Sequence, residues 1–220
     1  MFTHSVQVPI DRGRLEGELT SPVDPAGIVV FAHGSGSSRH SPRNKRVART
    51  LQQHGFATLL IDLLTTREEE LDEESGVYRF DIGLLAERLV SIAKWLESNP
   101  DTSSLRIGLF GASTGAGAAL MAAGRLPKVA AIVSRGGRPD LAGPALASVQ
   151  APTLLIVGER DSPVIQMNRH AMAQMRASVS LAIVPGATHL FEEAGTLDRV
   201  AVLAADWFDR HLPPVTAEKT

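Results

Sequence analysis

The stretch Arg106-Ile107-Gly108-Leu109-Phe110-Gly111-Ala112-Ser113-Thr114-Gly115-Ala116-Gly117-Ala118-Ala119-Leu120-Met121-Ala122-Ala123 changes character at its middle. Arg106–Phe110 is an apolar run of strand length, and Ala116–Ala123 reads as a helix. Between them stands Gly111-Ala112-Ser113-Thr114-Gly115, with a glycine two residues to each side of the serine. That spacing permits a strained strand-to-helix turn with no Cβ in the way and pushes the hydroxyl outward. The free N–H groups opening the next helix, and the positive end of its dipole, favour a developing negative charge there. Alone the pattern is weak; flanked by strand and helix it gains weight. The bland alternative is a small-residue turn that packs the helix tightly on a sheet.

Outward from this stretch, short β-rich runs alternate with longer helical patterns. Residues 3–9 and 14–20 read as strands joined by Asp11-Arg12-Gly13. Ile28–His33, Ala57–Asp62, Val129–Ser134, Thr153–Gly158 and Leu181–Val184 read as further strands. Helical spacing covers residues 45–54, 81–97, 115–125, 163–177 and 196–211. Apolar runs without alternation suit parallel strands covered on both faces. The rhythm predicts an α/β sheet with right-handed crossovers. One domain is expected over 1–213, with 214–220, past Pro213-Pro214, as a disordered tail. The charge run Arg67-Glu68-Glu69-Glu70-Leu71-Asp72-Glu73-Glu74 reads as a solvated helix face or loop. Its alternative is a mobile flap over the site, with Tyr78 and Phe80 as the apolar part.

Composition narrows the partners. A chain of 220 residues is long enough to bury about 70% of its unfolded surface, so it needs no staples. Twenty-two Lys and Arg stand against 24 Asp and Glu, a net charge of −2, which removes the basic face a nucleic-acid partner needs. With no cysteine there are no disulfides, thiolate metal sites or Cys nucleophiles. No secretory leader opens the sequence, and no apolar run approaches the ~20 residues of a membrane helix. A cytoplasmic protein acting on a small molecule, with no nucleic-acid or membrane partner, is therefore expected. No metal is expected, because no His, Asp and Glu grouping has zinc spacing, and no cofactor is called for.

A serine hydroxyl is a poor nucleophile until a base takes its proton, so a histidine and an orienting acid are required. His189 follows the last predicted strand in Pro185-Gly186-Ala187-Thr188-His189, and Asp161 follows the preceding one in Gly158-Glu159-Arg160-Asp161. Carboxyl ends of parallel strands share one rim, where ligands bind, so Ser113, Asp161 and His189 converge there. Asp161 also suits the N-cap of the next helix. Asp140 competes as the acid, but stands before Leu141 where a helix N-cap is simpler. An oxyanion hole needs two converging N–H groups. Thr114 supplies one, and Ser35, in the loop His33-Gly34-Ser35-Gly36, the other. His33 reads as fixing that loop by hydrogen bonds. The loop lacks the Lys-Ser/Thr of a phosphate-binding P-loop, and Gly111–Gly117 lacks dinucleotide-binding spacing. Arg135, ending a strand at the same rim, is a candidate for a substrate carboxylate or a structural ion pair. Arg39, Arg43 and Tyr78 are weaker substrate-binding candidates.

The loop at His33–Gly36, the turn at Gly111–Gly115, Gly158–Asp161 and Gly186–His189 together resemble the α/β-hydrolases. Within that superfamily the chain is most similar to the small dienelactone-hydrolase-like enzymes. The resemblance runs through residues 28–211. It implies a mostly parallel sheet of about eight strands with helices on both faces and little or no cap domain. It also implies Ser113 as nucleophile, Asp161 as acid and His189 as base. Dienelactone hydrolases proper carry cysteine where this chain has Ser113, which favours serine-esterase-like acyl transfer. The expected function is cleavage of a small ester, lactone or thioester through an acyl-enzyme. The alternatives are a non-catalytic ligand-binding or receptor protein on the same fold, and a peptidase or acyltransferase using the same triad.

Overall fold

The structure is a computed structural model that describes residues 1–213. The tail expected at 214–220 lies outside the described residues. Eight strands form one sheet: β1 Phe2–Ile10, β2 Gly13–Ser21, β3 Ile28–Ala32, β4 Ala57–Ile61, β5 Ile107–Ala112, β6 Val129–Arg135, β7 Thr153–Gly158 and β8 Val179–Val184. Their spatial order is β1-β2-β4-β3-β5-β6-β7-β8. The opening hairpin and the β2–β4 pair are antiparallel. Every pair from β4 to β8 is parallel.

The apolar strands explain the layering. Along β3, Ile28, Val30 and Ala32 join one core cluster while Val29 and Phe31 join the other. The same alternation splits β6 between Ile132 and Val133. A strand whose side chains are all buried must be covered twice. Helices α1 Pro42–Gln53 and α6 Thr196–His211 cover one face; α3 Ile82–Ser98 and α4 Thr114–Ala123 cover the other. Each fully buried Phe or Leu in these layers adds about 2–3 kcal/mol relative to exposure. Phe31 and Phe110 meet across β3 and β5 with ring centroids 4.8 Å apart.

Some expectations need correction, but the acidic run is the expected helix face, α2, Thr66–Ser75. Its start is fixed by a capping box between Thr65 and Glu68, and Asp72 is buried, so its face is not solvated throughout. Asp140 caps no helix: Pro139–Ser148 is a kinked 3-10 segment whose N-cap is Arg138. Its carboxylate instead takes a two-pronged contact from the Arg138 guanidinium at 2.7 and 2.8 Å. Helix α5, Ser162–Met172, stops before the expected residue 177, and β8 starts before Leu181.

Candidate active site

The carboxyl ends of β3, β5, β6, β7 and β8 share one edge, and the site is assembled from the turns leaving them. Ser113, between β5 and α4, has φ 50° and ψ −122°. A non-glycine residue there costs on the order of 1–3 kcal/mol and persists only where its surroundings enforce it. Here its N–H donates to the Arg135 carbonyl at 3.2 Å and its carbonyl accepts from Arg138 N–H at 3.0 Å. The flanking glycines act by close approach. A Cβ on Gly111 would lie 2.4 Å from the Ala116 Cα, and one on Gly115 2.3 Å from the Ala32 carbonyl oxygen. The side chain of Ser113 is left partly exposed at the apex.

Asp161 stands at the N-cap of α5 but makes no side-chain cap bond. Its Oδ2 lies 2.6 Å from Nδ1 of His189. A carboxylate accepts only, so the Nδ1 proton is donated to it and Nε2 is left as the basic nitrogen. Their two turns are stitched together. Arg160 N–H donates to the Ala187 carbonyl at 2.9 Å, and Gly186 N–H to Oε2 of Glu159 at 2.8 Å. Glu193 takes the Thr188 N–H at 3.1 Å. Hydrogen bonds from Thr188 and from its own backbone hold the Glu193 carboxyl below its ordinary pKa.

Gly136 joins this pair to Ser113. It follows Arg135, the acceptor of the Ser113 N–H, and a Cβ on it would lie 3.0 Å from the His189 carbonyl oxygen and 3.6 Å from the ring Cε1. Ser113 and His189 thus meet two successive residues, Arg135 and Gly136, and share no direct hydrogen bond.

The loop after β3 completes the arrangement. Gly34 approaches so closely that a Cβ there would lie 3.1 Å from the Ser113 Cβ. Ser35 N–H donates to the Thr114 hydroxyl at 2.8 Å. Thr114 opens α4, so its own N–H has no acceptor inside the helix. His33 holds the loop: its Nε2 accepts the Leu63 N–H at 3.1 Å, which leaves Nδ1 to donate to the Gly34 carbonyl at 3.1 Å.

A cavity of about 270 Å³ opens beside this loop, lined among others by Ser35, Asp62, Glu69, Asp72, Arg79 and Leu85. Two of its carboxylates are paired. Arg39 engages Asp62 through backbone and guanidinium. Arg79 engages Asp72 at 2.5 Å. Burial alone would raise the Asp72 carboxyl, but hydrogen bonds from Arg79 and the Tyr78 backbone outweigh it and hold the group below its ordinary value. Tyr78 does not line this cavity; Arg79 does. Arg39 is thus tied to Asp62 on the wall of this cavity. Arg135 is buried and Arg43 reaches Glu192 at 3.2 Å, both on the side covered by α1. Glu159 and Asp62, which organise the turns, carry no signal in sequence beyond their position just past a strand, and Glu193, nine residues beyond β8, carries none.

Similarity to known proteins follows the same outline. Residues 15–211 match the dienelactone hydrolase family. The crystal structure of a dienelactone hydrolase from Anabaena variabilis is 57% identical, with a TM-score of 0.94, covering 96% of this chain and 98% of that one. The esterase domain of a Rhodothermus marinus protein shares the fold at 21% identity and a TM-score of 0.76, over 96% of this chain and all of that one, 100%. A protein of Mycobacterium tuberculosis (strain ATCC 25618 / H37Rv), provisionally named a phosphoribosyl transferase, is 59% identical over 209 residues, 94% of this chain and 46% of the relative. The chain spans about half the length of the curated relatives it matches.

Proposed function

This chain belongs to the dienelactone hydrolase family, and we propose that it acts as a serine hydrolase on a small ester, lactone or thioester. The observation that carries the reading is the Asp161–His189 contact of 2.6 Å, set across Gly136 from a serine held at positive φ. Nε2 of His189 takes the Ser113 proton as Oγ bonds to the carbonyl carbon. Asp161 fixes the tautomer and stabilises the imidazolium. The carbonyl oxygen, now an oxyanion, takes the N–H groups of Thr114 and Ser35, displacing the Thr114 hydroxyl as the acceptor of the latter. The imidazolium then protonates the departing alkoxide or thiolate. Water, deprotonated by the same histidine, attacks the acyl-enzyme; collapse releases the acid and restores Ser113.

The transferase name of the Mycobacterium tuberculosis relative belongs to a protein about twice as long, and no phosphoribosyl transfer is proposed for this chain. A fluorophosphonate probe tests the reading. Labelling of Ser113, with turnover of p-nitrophenyl acetate that Ser113→Ala abolishes, supports a hydrolase. Absence of labelling, with ligand-induced thermal stabilisation, would favour a binding protein on this fold. Product analysis with an alcohol or amine acceptor separates hydrolysis from acyl transfer, and peptide substrates test for a peptidase.

A further inference from the structure

Arg135 ends β6, and alternation along that strand puts its side chain with Val133 on the face covered by α1 and α6. The residue is only 9% exposed. Its Nη1 is buried with no hydrogen-bond partner among the described residues, and so is Nε of Arg43. Arg43 lies in the first turn of α1, a 12-residue helix whose opening N–H groups add their own positive potential. The two arginines come together around Phe191, whose ring lies 3.4 Å from a Cβ built on Gly136, the residue after Arg135, and which lines one pocket with Arg43 and Glu192. Burial, and then the Arg43 charge, push Arg135 down to about 10.

Other arginines of the chain are treated differently. Arg39, Arg79, Arg88 and Arg138 each meet an Asp or Glu side chain. Arg43 is answered only at Nη1, by Glu192, whose side chain is 64% exposed. A buried cation that faces a like charge carries a free-energy cost that a bound anion offsets.

We propose that Arg135 and Arg43 form a binding site for a compact monoanion of the halide class, seated between the two guanidiniums at the N-terminal turn of α1. Two guanidiniums, one of them partly answered by an exposed Glu192, suit a single negative charge. A dianion would carry a much larger desolvation cost in so buried a place. The ion would brace α1 against the turn that carries His189, through the Arg43–Glu192 contact. This site does not depend on the hydrolytic reading, because its test reads binding and melting alone.

Melting is measured in chloride from about 1 to about 300 mM, with gluconate holding ionic strength constant so that general screening cancels. The melting temperature is expected to rise with the logarithm of chloride concentration. Arg135→Gln should remove the rise, and Arg43→Gln should weaken the apparent affinity about tenfold or more. Bromide soaked into crystals should give an anomalous peak in contact with Arg135 and Arg43. Equal melting in chloride and gluconate, a rise that survives Arg135→Gln, or bromide found only elsewhere would each overturn the site. If Arg135→Gln does not fold, the bromide position and Arg43→Gln decide it.

Discussion

The Asp161 carboxylate lies 2.6 Å from Nδ1 of His189, 28 residues along the chain, and reaches it from the N-cap position of α5 without capping that helix. The residue has surrendered the local hydrogen bond that its position offers. Neutralising it should cost function far more than stability. Asp161→Asn is expected to lower kcat on p-nitrophenyl acetate roughly 10⁴-fold, through loss of the productive tautomer. Ser113→Ala should lower it on the order of 10⁶-fold. Retention of more than a small fraction of turnover by either variant would dismiss the triad.

Gly136 offers a sharper test of placement. Its φ is +49°, and a Cβ would press on the carbonyl and ring of His189. Gly136→Ala is expected to cost about 1–2 kcal/mol of stability and to lower kcat at least about 100-fold by displacing the imidazole. Steady-state kinetics beside a urea titration read both effects. Wild-type kcat in a stably folded variant would show that His189 does not need this seat.

His33 acts through the loop it fixes. Both ring nitrogens are engaged, by Leu63 and by Gly34, so it has no free base to offer. His33→Ala should reduce kcat/KM about 10- to 100-fold by loosening the Ser35 N–H, and labelling of Ser113 by a fluorophosphonate should slow without disappearing. Complete loss of labelling would give His33 a direct chemical role instead.

Asp72 sets an acid limit for α2. Its folded-state pKa is lowered by Arg79 and the backbone, so the stabilisation is full above the unfolded value near ~3.9 and declines as pH falls through the lower folded value. Limited proteolysis should therefore cut within 66–80 more readily below about pH 4, and Asp72→Asn should show the same susceptibility at neutral pH. Equal protection of the variant and the wild type at pH 7 would count against this pairing.

The sheet is legible from its apolar runs, and the meeting of Asp161 with His189 from their places shortly after β7 and β8. Strand ends in a parallel sheet place Ser113, Asp161 and His189 along one edge without any knowledge of loops. Where the signal failed, the cause is physical. Helix α2 lacks an apolar face, so its charges look like solvent, although Thr65 and Glu68 spell out its capping box. Strand β8 is an edge strand and half exposed, so Ser180 falls within it and hides its start. The 3-10 segment is broken by Gly143 at φ 51° and carries Pro144. The pairings Asp72–Arg79, Arg39–Asp62 and Arg43–Glu192 depend on side-chain reach across separate elements, which no spacing in the sequence encodes.

The bend at Ser113 is held by carbonyl and amide groups of residues 135–138, which follow it in synthesis. A nascent chain still short of β6 therefore displays the hydroxyl but has nothing to keep its backbone in so unfavourable a shape. The turn can keep that shape only once the later strand has docked beside β5, so the bend is a product of tertiary assembly and not of its own five residues.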